Sequence, residues 1–111
     1  MSKAMQEPTF LILTALADQA QHGYGIMADV ARISGDRVRL RAGTLYAALD
    51  RLKTDGMIDT DREEVVDGRL RRYYHLTETG AAALTTETER IRERAEVAAR
   101  RLASRPRLGP A

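Results

Sequence analysis

The 111-residue chain has no cysteine, which excludes a disulfide framework, a thiolate nucleophile and any cysteine-ligated metal. Its only histidines, His22 and His75, fall in separate predicted elements, and no Asp or Glu spacing completes a metal site or an acid–base pair with either. Long apolar runs are missing too. The longest, Phe10 to Leu13, is far too short to span a bilayer, and Met1-Ser2-Lys3-Ala4-Met5-Gln6-Glu7 lacks the apolar core of a signal sequence. These absences predict one small cytoplasmic domain that needs no cofactor, no metal and no membrane and that is not an enzyme.

What is present is arginine. Net charge is only +2, but sixteen of the eighteen basic residues are arginine, the side chain suited to bidentate phosphate and guanine contacts. Their placement says more than their sum. Arg37, Arg39 and Arg41 lie in a stretch, 37–46, without a single acid, and Arg69, Arg71 and Arg72 lie in another, 68–77. Asp59, Asp61, Glu63, Glu64 and Asp67 separate the two islands.

The stretch 41–56 carries two faces. Leu45, Ala48, Leu49 and Leu52 recur at helical spacing and form an apolar stripe, whereas Gly43, Thr44, Ala47, Asp50, Arg51 and Thr54 fall on the other side. A helix start offers free backbone N–H groups and a partial positive charge, and the arginines just before it add to a site suited to phosphate. This predicts a recognition helix directed at nucleic acid, with Arg41, Gly43, Thr44 and Arg51 on the bound face.

Ahead of it, Pro8 suits a helix start, and Thr9 to Ala17 is apolar on most sides. Phe10 and Leu13 on this helix, with more apolar surface than so short an element needs, are assigned to a contact with a second subunit. Gln21-His22-Gly23-Tyr24-Gly25 reads as a turn, Ile26 to Ile33 as a second amphipathic helix closed by Gly35-Asp36, and Arg37-Val38-Arg39-Leu40 as a short half-buried strand. Two helices joined by a short connection have the helix-turn-helix layout.

Beyond Gly56, Asp67-Gly68 sits between two alternating segments and marks a tight hairpin, with Tyr74 and Leu76 directed at the core. Arg69, Arg71 and Arg72 cluster at its tip, where a hairpin can reach DNA without its body colliding. Thr77 is a good N-cap for a last helix, in which Leu84, Thr88, Ile91, Ala95, Ala98 and Leu102 repeat at alternating steps of four and three. That is a heptad seam, and a helix near 37 Å long, by the roughly 1.5 Å rise per residue, exceeds what a domain of this size covers alone. The division expected is a winged helix-turn-helix over 1–76, a dimerisation helix over 77–104 and a basic disordered tail over 105–111. The fold class is mainly α with a small β-hairpin wing.

Leu13-Thr14-Ala15-Leu16, His22-Gly23-Tyr24-Gly25, Gly43-Thr44-Leu45-Tyr46-Ala47-Ala48-Leu49-Asp50-Arg51-Leu52 with Gly56-Met57-Ile58, Asp67-Gly68-Arg69 and Tyr73-Tyr74-His75-Leu76-Thr77 resemble the PadR-like transcriptional regulators, in their short subclass. The resemblance runs from about Pro8 to Gly80. It implies a homodimeric repressor of double-stranded DNA, seated on a palindromic operator and released by a small-molecule effector. Carried over by position, Tyr24, Thr44, Tyr46, Gly68 and Arg69 would face DNA, Tyr46 with its ring on the core and its hydroxyl outward. Short members that hold flat drug-like molecules between tryptophans have no counterpart here, because the chain has no tryptophan. The alternative is a winged-helix protein-interaction module, for which an apolar wing tip would speak.

Overall fold

A computed structural model describes residues 5–107. Helix α1 (Glu7–Asp18) opens with Pro8 in its first turn and buries Leu11, Ile12, Leu13, Ala15 and Leu16. So many consecutive buried positions cannot share one stripe of a helix, so α1 must be covered from several sides. The chain's own α2, α4 and central strand supply that cover. Leu13 has no exposed surface in the single subunit, which corrects its assignment to a subunit contact.

Strand β1 (Gln21–His22) leads straight into α2 (Gly23–Ile33), and α3 (Ala42–Thr54) follows. Strands β2 (Ile58–Val66) and β3 (Arg69–Leu76) form the hairpin, and α4 (Glu78–Ser104) ends the fold. The sheet is antiparallel in the order β1-β3-β2, with Gln21 opposite Tyr74 and His22 opposite Tyr73. Asp67 and Gly68 both take positive φ, 52° and 76°, the conformation of a two-residue turn whose twist matches its strands. A bulge between Thr60 and Arg62 leaves Asp61 without a partner and re-aims the outer half of the hairpin.

Two sequence-based expectations fail together here. The third strand is Gln21–His22, which read as a turn, and Arg37–Leu40 is not a strand. The alternation at 37–40 is real, since Val38 and Leu40 are half-buried and Arg37 and Arg39 exposed. No neighbouring strand runs beside it. Gly35 and Asp36 turn the chain through positive φ (61° and 66°), and the Ser34 hydroxyl accepts the Val38 N–H at 3.0 Å, which fixes a loop in place of a strand.

The core gathers Ile12, Leu13, Ile26, Val30, Leu45, Leu49 and Ile58, with Tyr74 on the sheet side. The start of α4 is anchored to the turn after α3. Thr77 accepts the Gly80 N–H at 3.1 Å and donates its hydroxyl to the Gly56 carbonyl at 2.6 Å, and its own N–H bonds the Met57 carbonyl at 3.1 Å. Beyond that anchor α4 leaves the body, and the molecule is 65 Å long but only 31 by 21 Å across.

Candidate nucleic-acid interface

Helix α3 buries Leu45, Ala48, Leu49 and Leu52, the stripe read from the sequence. The opposite side must then face solvent. At 3.6 residues per turn, Gly43, Ala47, Asp50 and Thr54 lie within about 30° of the line opposite that stripe, and all four are exposed. Thr44 and Arg51 occupy one flank, bordering a groove shared with Pro8 and Thr9 of α1. Tyr46 and Lys53 occupy the other flank, toward the hairpin. Arg41 is the N-cap, extended (φ −83°, ψ 154°) and without a side-chain cap bond, so the first N–H groups of α3 are left for another acceptor.

Tyr46 departs from its expected pose. Its ring is 46% exposed, but its hydroxyl lies against the first residue of α2, where a Cβ on Gly23 would collide with it. The absent side chain at Gly23 is thus what lets α3 and the start of α2 approach. His22 caps that start: its Nδ1 accepts the Gly25 N–H at 3.2 Å, and its ring stands edge-on to Tyr73 with centroids 5.2 Å apart. An Nδ1 that accepts must be unprotonated, and burial, followed by the charge of Arg71, pushes the His22 pKa below its usual value. The glycines at 23 and 25, read from the sequence as turn residues, also mark this close approach, since a Cβ on Gly23 would meet Tyr46 and one on Gly25 would meet Gln21.

Beside Tyr46, the outer half of β3, beyond its two residues paired with β1, and the α2 start enclose a cleft of about 320 Å³ lined by His22, Gly23, Tyr24, Tyr46, Arg69 and Arg71 among others. Tyr24 is 68% exposed at its rim. The three wing arginines are not equivalent. Arg72 donates to Glu63 at 3.2 Å and is tied to the opposite strand, whereas Arg69 and Arg71 make no ion pair among the described residues. Glu64, across from Arg71, is already taken by Arg62 at 3.1 Å and by the Tyr73 hydroxyl at 3.1 Å. Those two donors hold the Glu64 carboxyl below its usual pKa. Gly68 serves the turn itself. The wing also exposes an apolar pair, Val65 opposite Leu70.

The two histidines lie in separate elements, as the sequence predicts, His22 at the end of β1 and His75 in β3, on adjacent strands. His75 Nδ1 lies 3.6 Å from Asp61 at the bulge, too long for a hydrogen bond, and no group of side chains among the described residues could hold a metal.

Between α1, the end of α2 and α4, Phe10, Ile33 and Ile91 border a groove of about 470 Å³ that also reaches Met5 and Glu87. Glu87 is buried and ion-paired with Arg90, which lowers its pKa. Along the heptad seam Leu84 packs on the core and Thr88 is half-buried, but Ile91, Ala95, Ala98 and Leu102 are exposed. Of the predicted tail, residues 108–111 lie outside the described residues. No described helix is long and apolar enough to cross a membrane.

Residues 12–86 match the Transcriptional regulator PadR-like family. The chain belongs to that family. Over 82 residues, 74% of this chain and 73% of the relative, it is 39% identical to Transcriptional regulator Rv3488 of Mycobacterium tuberculosis. A crystal structure of a PadR family transcription regulator from Clostridium difficile is 27% identical, with a TM-score of 0.72 over 87% of this chain and 99% of that one. Bacillus subtilis PadR in complex with operator DNA superposes with a TM-score of 0.65 at 22% identity, over 73% of this chain and 47% of that one. The winged-helix fold with its long C-terminal helix is therefore that of the PadR-like regulators, and in this PadR-like chain the matched segment takes in α2, α3, the wing and the first turns of α4.

Proposed function

We propose that this chain is a sequence-specific DNA-binding transcriptional regulator that acts as a homodimeric repressor on a palindromic operator and leaves it when a small-molecule effector binds. The observation that carries the reading is the cleft at which the exposed flank of α3, at Tyr46, meets two wing cations without ion pairs among the described residues, Arg69 and Arg71. Arg41 precedes the α3 start, Gly43 and Ala47 add no bulk to its outer ridge, and Arg69 and Arg71 stand across the cleft at the wing edge. A helix so built enters a major groove, while the wing arginines reach the adjoining backbone or minor groove. Tyr24, Thr44, Tyr46, Arg51 and the Gly68 turn complete the contact set in this reading, with Arg72 held back by Glu63.

A dimer with two-fold symmetry would present two α3 helices to half-sites about ten base pairs apart, or a multiple of that. The exposed seam from Ile91 to Leu102 and the groove at Phe10 supply the surface for it. An effector that changes the angle between the subunits would break the half-site spacing and release the DNA, an exchange this reading places in the cytoplasm.

A second reading has one observation in its favour. Val65 and Leu70 are 73% and 61% exposed on the wing, an apolar pair that a protein partner could cover. Selection of bound duplexes from a random DNA library at moderate salt separates the two. Enrichment of a palindrome with half-sites near one helical turn apart supports the regulator. A folded protein that enriches no sequence transfers the function to protein binding through the wing.

A further inference from the structure

Asp50 is the only acid in α3, and it lies on the outer ridge, not on a flank. Three features keep its carboxylate unsatisfied. Lys53, one turn on, sends its ammonium to the Thr60 hydroxyl at 3.1 Å. Thr54 turns its own hydroxyl back on to the Asp50 backbone carbonyl at 3.0 Å. Arg51 lies on the α1 flank, and among the described residues Asp50 enters no ion pair. Of the other ridge residues, Gly43 and Ala47 have no hydrogen-bonding side chain, and the Thr54 hydroxyl has its proton committed to the Asp50 carbonyl. Asp50 is thus the one charged side chain on the ridge, with no ion-pair partner among the described residues.

Resting on the DNA-binding reading above, we propose that Asp50 is a specificity-determining residue that selects a cytosine in each half-site. A carboxylate set among phosphates is repelled by every sequence alike, unless a donor on the base edge compensates. It is an acceptor only, so guanine O6 and N7 and thymine O4 all oppose it. The cytosine N4 amino group donates to it, and the adenine N6 amino group does so only beside N7, which repels the second carboxylate oxygen. From Gly43 to Asp50 the ridge runs roughly 10 Å along the helix axis, or about three base steps of 3.4 Å. The cytosine therefore stands some two to three base pairs from the base pair that faces Gly43, where no side chain reads the edge.

The test compares operators selected from a random duplex library by the full chain and by Asp50→Ala and Asp50→Asn, at one moderate salt concentration. Alanine at an exposed helix position keeps the fold. The wild type should yield a palindrome with one cytosine repeated symmetrically in both halves. Asp50→Ala should lose the preference at that position alone, by roughly ten- to hundred-fold in relative affinity, and Asp50→Asn should move it toward adenine, whose N6 and N7 pair with an amide. An unchanged motif in Asp50→Ala, bound uniformly more tightly, overturns the proposal and leaves Asp50 as a repulsive charge only. If the wild type itself enriches no motif, the DNA-binding reading has failed, and the role of Asp50 falls with it.

Discussion

Gly80 has no side chain because there is no room for one. A Cβ there would run into the Met57 backbone carbonyl and the Leu76 side chain, and a carbonyl held by the Thr77 N–H cannot swing aside as a flexible side chain could. Gly80→Ala should therefore lower stability by about 1–3 kcal/mol, the range for overpacking a tight contact, read as a drop in urea midpoint at constant slope. An unchanged midpoint would mean that α4 is not anchored through Thr77 and Gly80. His22 gives a pH dependence of definite sign. Its folded pKa is below the ordinary 6.5 because the ring is partly buried beside Arg71 and must stay neutral to cap α2. The unfolded chain thus binds the proton more readily. The contribution is fully present above about pH 6.5 and is lost as pH falls below it through the lowered folded value. His22→Asn, which caps without titrating, should flatten the stability profile below about pH 6.5 relative to the parent. A profile that stays as steep would remove the cap as its source.

At the level of elements, the wing offers a quantitative test of how unlike its arginines are. Arg69→Ala should weaken binding on all DNA sequences alike and lower the salt slope by roughly one counterion per subunit, because a phosphate contact releases about 0.9 ion. Arg72→Ala, which removes a cation already paired with Glu63, should change the slope far less. Equal effects from both would show that the Glu63 pair opens on DNA. Helix α3 was legible from its sequence because one helix reports its own period: Leu45, Ala48, Leu49 and Leu52 are all buried, and the Asp67-Gly68 turn is where the dipeptide says it must be. What local pattern does not report is pairing across distance. Gln21–His22 is two residues long, too short to show alternation, and becomes a strand only because β3 lies beside it. Arg37–Leu40 alternates well and still lacks a neighbour. The same limit applies at the site. The outward side of α3 could be listed from spacing, yet the contact of the Tyr46 hydroxyl with Gly23 and the tie of Arg72 to Glu63 depend on elements more than five residues away in sequence. Tyr46→Ala should accordingly keep the fold but lower its stability by about 1–2 kcal/mol, since roughly half of the residue is buried against the start of α2. It should reduce operator affinity by about 1–3 kcal/mol, in the range of one specific base contact, and a mutant that binds as the parent does would exclude Tyr46 from the interface.

For the whole molecule, the question is what covers α4. Its 27 residues extend for about 40 Å at 1.5 Å per residue, and the core takes up only its first turns, around Gly80 and Leu84. From Ile91 onward every residue through Ser104 is exposed, including Val97 at 39% and Leu102 at 64%. Helices that short on apolar contact fray in isolation, because most helical stability in proteins comes from packing an amphipathic face. The apolar residues nearest the body, Ile91, Phe10 and Ile33, meet at one groove, and a two-fold pairing would bring the same patch from each subunit against itself. Charge is less of an obstacle than it looks, since the Glu and Arg residues of α4 lie on the remaining positions, and Glu87 and Arg90 neutralise each other within the chain. Ile91→Asp places a carboxylate in the centre of that patch while leaving the buried core untouched, so the monomer should keep its folded body while the uncovered end of α4 loses part of its helical signal. Sedimentation should then show a folded species of half the parental mass, and operator affinity should collapse because two half-sites are no longer bound as one. A dimer that survives the substitution would mean that the subunits meet through another surface and that the exposed end of α4 has a different use.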